Sequence, residues 1–229
     1  MPPMGEMIEF PSNGSTGEGY LATPTGGGPG VVVIQEWWGL VDHIKDVCER
    51  FAAEGFVALA PDLYHGKKVS EPDEAGKAMM AMRLDEAAKD MSGAVDAVRE
   101  RSSGSGVGAV GFCMGGGLAL VLAGQRADAV KAVVPFYGAL AWEGVEPAYG
   151  AIKGAVLGHY AENDAWANPD VARQLERTLT DSGNEDVTIH IYPGTDHAFF
   201  NDTRPEVYAP EASQLAWART IEFLRSRLG

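Results

Sequence analysis

Basic residues are scarce in this sequence. Its 229 residues carry 18 lysines and arginines against 32 aspartates and glutamates, a formal charge of −14. So large a negative excess works against binding nucleic acid or an anionic membrane, and it favours solubility. A small anionic ligand stays possible, because one arginine at a site overrides the global field. Cysteine is rarer still. Cys48 and Cys113 are the only two, which gives no disulfide framework and fits a reducing compartment. No apolar run approaches the roughly 20 residues of a membrane span. The opening Met1-Pro2-Pro3-Met4-Gly5-Glu6 lacks the basic and apolar regions of a signal peptide, so a cytoplasmic protein is expected. The sequence as a whole is 45% hydrophobic, ample for a core that needs neither disulfide nor metal. There is no internal repeat, linker or low-complexity tract, and one domain over residues 1–229 is expected. No exposed heptad or edge signal demands a partner, so the expectation is a monomer.

Read in order, the chain alternates strands with helices. Residues Met7–Phe10 and Gly19–Thr23 read as an edge hairpin around the turn-rich Pro11–Ser15. Val31–Ile34, four consecutive β-branched residues, reads as a strand buried on both faces, as in a parallel sheet. A helix from Val41 to Glu54 and a strand at Phe56–Ala60 complete a βαβ unit. Helices are expected over Pro72–Met82 and Asp85–Arg101, with Met79, Met80 and Met82 as flexible core fillers or pocket lining. Further strands are expected at Gly106–Phe112, Val130–Phe136, Gly154–His159 and Val187–Tyr192. The apolar Leu118–Ala123 reads as helical, as do Asp170–Ser182 and Glu206–Leu228.

The join Gly111-Phe112-Cys113-Met114-Gly115 organises the rest. Its form G-x-C-x-G is the nucleophile-elbow pattern with sulfur in place of the serine hydroxyl. A nucleophile on a sharp strand-to-helix turn sits in strained backbone, and flanking glycines let strand and helix approach. The helix start favours thiolate at Cys113, and Met114 offers a backbone N–H to an oxyanion. Cys113, Asp164 and His197 each fall just beyond the C-terminal end of an expected parallel strand. Those ends share one edge of a sheet, so the three residues should converge. Nucleophile, acid and histidine occur in α/β-hydrolase order. Cys113 would attack a carbonyl, His197 would carry the proton, and Asp164 would fix the imidazole tautomer. Asp196, adjacent to His197, is a poorer acid because a sequence neighbour reaches the far ring nitrogen badly. Glu36 follows Val31–Ile34, where a second oxyanion N–H, that of Trp37, is expected. A carboxylate there would keep Cys113 partly protonated until substrate displaces it; the alternative is a solvated loop charge.

Together these residues resemble the dienelactone hydrolase family, α/β-hydrolases with a Cys-His-Asp triad. The likeness is carried by Gln35–Leu40, Ala60–Tyr64, Gly111–Gly116, Tyr137-Gly138, Glu162–Asp164 and Tyr192–Phe199. It implies an α/β-hydrolase fold with a mostly parallel sheet of about eight strands and helices on both faces. It also implies a hydrolase without cofactor or metal that cleaves a carboxylic ester or enol-lactone through a thioester. A thioesterase or broad carboxylesterase is the nearest alternative. A different one is a silent protein that binds a small carbonyl ligand or senses oxidants at Cys113. The predicted helical setting of Cys48 offers that sensor no resolving thiol. In the family, arginines hold a substrate carboxylate, one of them shortly after the catalytic histidine. Here Ala198–Asp202 follow His197 and the first arginine is Arg204, with Arg83 as a candidate for the other. Asp202 stands where a cation is expected. Trp37, Trp38, Tyr64, Phe199 and Phe200 would suit an apolar acyl or aryl group, or pack the core.

Overall fold

The computed structural model describes residues 5–229; the reading of Met1–Met4 as free of a leader signal lies outside them. Two antiparallel strands, β1 (Glu6–Ser12) and β2 (Ser15–Ala22), form the first hairpin. Asn13 and Gly14 turn it at φ 41° and 100°, the left-handed pair whose twist matches a two-residue hairpin. The hairpin is longer than the expected Met7–Phe10 and Gly19–Thr23 because so tight a turn lets pairing run up to it.

Six strands then run parallel to one another: β3 (Pro29–Ile34), β4 (Val57–Pro61), β5 (Ser103–Phe112), β6 (Val130–Phe136), β7 (Ala155–Ala161) and β8 (Val187–Tyr192). The eight-stranded order is β1-β2-β4-β3-β5-β6-β7-β8. Val31 to Ile34 are fully buried, as a β-branched run covered on both faces must be.

Helix α1 (Asp42–Ala53) crosses from β3 to β4 in one direction. The chain then passes through α2 (Pro72–Ala81) and α3 (Leu84–Arg99) back to β5. From there α4 (Met114–Gln125) and α5 (Pro169–Asp181) continue in the opposite direction to α1. Since parallel crossovers are right-handed, reversing direction puts α1 on one face and α3, α4 and α5 on the other. The last helix, α6 (Pro210–Leu228), joins the α1 layer, where Trp217 meets Phe51 with centroids 4.6 Å apart.

This helix begins four residues later than the expected Glu206. Ala209 is held extended at φ −114°, ψ 94° by the proline that follows. The preceding residues instead form turns, with Val207 and Tyr208 N–H donating to the Arg204 carbonyl. Among the described residues no helix is long and apolar enough to cross a membrane.

Candidate active site

Cys113 joins β5 to α4 at φ 54°, ψ −120°, a conformation that costs a non-glycine residue about 1–3 kcal/mol. Two flanking glycines make the turn possible. A Cβ on Gly111 would lie 1.9 Å from the Gly115 carbonyl oxygen, and one on Gly115 would lie 2.4 Å from that of Ile34. The elbow therefore closes only with hydrogen at both positions. The Cys113 N–H donates to the Phe136 carbonyl at 3.0 Å, which ties the turn to the neighbouring strand.

The loops after β7 and β8 are laced together. Asn163 N–H donates to the Thr195 carbonyl at 2.9 Å, and Gly194 N–H to Glu162 Oε2 at 2.8 Å. This brings Asp164 to His197, with Nδ1 and Oδ2 2.5 Å apart. The other carboxylate oxygen accepts from the N–H groups of Trp166 and Ala167 at 2.8 and 2.9 Å. Burial opposes charge on Asp164, but His197 and the two N–H groups outweigh it and hold the carboxyl below its ordinary range. Burial likewise opposes charge on His197, yet Asp164 and then Cys113 prevail and raise the imidazole to about 10. His197 Nε2 is buried and makes no hydrogen bond of its own among the described residues, with the Cys113 sulfur close enough to contribute to that rise. Asp196 is exposed and stands apart from the Nδ1 contact.

Glu36 is only 1% exposed, so it is no solvated loop charge. Its Oε2 accepts from Asn201 Nδ2 at 2.9 Å across 165 residues of sequence, while Oε1 is buried without a partner. Tyr137 sits edge-on to His197, with centroids 5.0 Å apart. Burial, then Glu36 and Cys113, push its phenol far above the ordinary range. The sequence marks Tyr137 only through the family likeness, and it does not mark Asn201 or Trp166 at all. Trp166 packs edge-on against Trp37 and His197 at 5.6 and 5.7 Å. Neither the Trp37 nor the Met114 backbone N–H donates to another protein group among the described residues.

Cys113, His197, Trp37 and Trp166 border two cavities. One, of about 480 Å³, is walled mainly by Met79, Met114, Tyr137, Leu140 and Ala165, and is largely apolar. The other, of about 310 Å³, is lined by Glu36, Trp38, Asp164, Asp196, Arg204 and Val207 among others. Arg204 lies over the Trp38 ring at 5.8 Å and pairs with Glu206 at 2.9 Å.

Three expected substrate contacts, Arg83, Phe199 and Tyr64, line neither of these cavities. Arg83 is exposed and engaged by Asp85 and Glu86, each at 3.1 Å, on a separate cavity beside Lys67. Phe199 is fully buried between Tyr137 and Tyr192 and serves the core. Tyr64 lines neither cavity; its hydroxyl reaches Met114 Sδ at 3.7 Å and backs the residue that follows Cys113. Asp202 also turns away, toward His43 at 3.5 Å, leaving Arg204 as the cation at the cavity. No group of three or more His, Cys, Asp or Glu among the described residues is placed to hold a metal ion.

A parallel sheet with a glycine-flanked elbow, and an acid and a histidine on the loops after its last two strands, defines the α/β-hydrolase class. Comparison with known sequences and structures narrows this. The chain belongs to the dienelactone hydrolase family, carboxylic ester hydrolases whose sequence profile matches residues 18–228. It is 42% identical to "Protein usf" of Aquifex pyrophilus, over 98% of this chain and all of that protein. It is 38% identical, over the same shares, to a "Putative carboxymethylenebutenolidase" of Aquifex aeolicus. A crystal structure described as a "Putative Dienelactone Hydrolase" of Klebsiella pneumoniae superposes with a TM-score of 0.87. That pair is 27% identical and covers 96% of this chain and 98% of the other.

Proposed function

We propose that the protein hydrolyses a carboxylic ester or enol-lactone with Cys113 as the nucleophile. The observation that carries this reading is the Asp164–His197 contact at 2.5 Å, with Nε2 of the same ring left without a partner beside a strained elbow cysteine. The Cys113 proton passes to His197 Nε2 in the resting site, and the thiolate Sγ so formed bonds to the carbonyl carbon as the carbonyl π electrons move to oxygen. The raised imidazole favours the imidazolium so formed, and Asp164 holds its tautomer and orientation. The N–H groups of Trp37 and Met114 stabilise the oxyanion. Collapse breaks the carbon–oxygen ester bond, and His197 returns the proton to the leaving oxygen. A water molecule then attacks the thioester, giving one proton to His197 and releasing the carboxylic acid and the thiol.

The Glu36 carboxylate, with Oε1 buried and without a hydrogen-bond partner, keeps part of the Cys113 population protonated until substrate displaces it. Arg204 takes an anionic group of the substrate and the apolar cavity takes the remainder. The name carboxymethylenebutenolidase carried by the Aquifex aeolicus relative, an enzyme named for a carboxylated lactone, agrees with this division.

The test is parallel hydrolysis of cis-dienelactone and a neutral aryl acetate by wild type and Cys113→Ala. Loss of both activities in the variant supports the reading. Turnover of the neutral ester alone, dependent on Cys113, keeps the chemistry and removes the carboxylated lactone. Equal turnover by wild type and variant refutes Cys113 as nucleophile.

A further inference from the structure

A third cavity, of about 660 Å³, lies on the far side of Leu140 from Cys113. Ala139, Leu140 and Trp166 line both this space and the apolar cavity at Cys113, so the two are separated by side chains of one shared wall. Beyond the wall the lining is mainly apolar, with Leu120, Val145, Tyr149, Tyr160, Val171 and Leu175. Its outer rim is polar, with Asn168, Asp170, Gln174, Arg177 and Thr178. Five large hydrophobic side chains are strongly exposed among the described residues, and two of them, Trp166 and Val171, border this space. Water satisfies such surface poorly, and an apolar chain entering from Cys113 would cover it.

The wall is held from the catalytic side. Asp164 fixes the N–H groups of Trp166 and Ala167 while also bonding His197. Trp166 is thereby set at a constant place relative to the histidine, one ring edge on His197 and another on Trp37. Leu140 comes from the opposite side, on the segment after β6, and is half-buried. Apart from Cys113 and His197 themselves, no acidic or basic side chain lines the cavity between Cys113 and this wall.

We infer that the site accepts esters with extended apolar acyl groups, which pass between Leu140 and Trp166 and end in the distal cavity. This deepens the hydrolase reading and rests on it. Trp166 and Leu140 are then specificity-determining residues, and the leaving group lies toward Arg204. Each methylene moved from water onto an apolar wall strengthens transition-state binding roughly two- to fourfold.

The test is a series of aryl esters from acetate to decanoate, read as kcat/KM. Wild type is expected to favour octanoate over butyrate by roughly tenfold or more. Val171→Trp places an indole in the distal cavity from an exposed position on α5. It should lower that ratio at least fivefold and leave the acetate rate within about twofold of wild type. Gln174→Trp, at another exposed position lining the same space, serves as the second variant should the first fail to fold. Acetate esters of lengthening alcohols should show no comparable gain. The inference is overturned by a wild type with no gain beyond butyrate, by a gain that survives both tryptophan variants, or by a gain confined to the alcohol series. Dependence of acetate hydrolysis on Cys113 is read in the same assay, so a failed chain series leaves the hydrolase reading to be judged separately.

Discussion

Replacing Asp164 by asparagine separates the two tasks of its carboxylate. One oxygen receives two backbone N–H groups at 2.8 and 2.9 Å, and the other receives His197 Nδ1 at 2.5 Å. Asparagine keeps one acceptor and gains a donor, so its amide must choose an orientation. With the oxygen toward the loop both backbone bonds survive. With the oxygen toward His197 only one bond survives, and the amide N–H₂ confronts two N–H groups. At about 1 kcal/mol net per hydrogen bond, the loop-facing orientation is favoured by at least that much. The amide then donates to Nδ1, which forces the imidazole proton onto Nε2. A nitrogen already protonated cannot accept the Cys113 proton, and kcat/KM should fall by roughly 10³ to 10⁴. The protein should still fold, since the loop bonds persist. The measurement is aryl acetate hydrolysis at fixed pH, with circular dichroism as the check on folding. A folded Asp164→Asn variant within tenfold of wild type would refute the tautomer argument.

The same pair should leave a mark on stability as a function of pH. His197 is raised from 6.5 to about 10, so its contribution is complete below 6.5 and is lost as pH climbs through 10. Asp164 is lowered from 3.8, so its contribution is present above that value and is lost on further acidification. The Tm difference between wild type and Asp164→Asn should therefore be widest between these ordinary values and fade in alkali; a difference constant from pH 6 to 10 would contradict it. Gly115→Ala sets a methyl 2.4 and 2.5 Å from the Ile34 and Gln35 carbonyl oxygens. A cost of about 3 kcal/mol in urea denaturation is expected, and an unchanged midpoint would mean that the elbow gives way freely. Arg204→Ala should raise KM for a carboxylated lactone by at least about tenfold more than for a neutral aryl ester; equal effects on both would remove Arg204 from anion recognition.

The parts legible in the sequence are those fixed by local chemistry. Four β-branched residues at Val31–Ile34 require cover on two faces, and glycines around Cys113 require a close strand-to-helix turn. Strand ends in a parallel sheet share an edge, which is why Asp164 and His197 could be placed beside Cys113 from far along the chain. Direction and depth of single side chains were less legible. Phe199 and Trp37 are both aromatic residues near strand ends, but only packing decides that one enters the core and the other walls a cavity. Arg83 and Arg204 differ in the same way: the turns between Phe199 and Ala209 carry Arg204 back over Trp38, whereas Arg83 remains with its helical neighbours. Asn201 carries no sequence signal because a buried amide has no motif, and its role exists only where it meets Glu36. The late start of α6 follows from Pro210, which holds Ala209 extended and suits the first helical position, a start signal that apolar periodicity alone does not register.

The bond between Asn201 and Glu36 has a consequence for how reactivity is acquired. It spans nearly the whole distance from the third strand to the segment before the last helix, and Cys113 lies between its ends. A chain emerging during synthesis completes β5 and its thiol long before His197 exists, and β8 must dock on β7 before the histidine can reach the sulfur. Contacts of such sequence separation form late, after the entropy of closing the intervening loop has been overcome. Turnover should accordingly rise in refolding with the slowest structural phase, so that the enzyme becomes reactive only as its last strand seats.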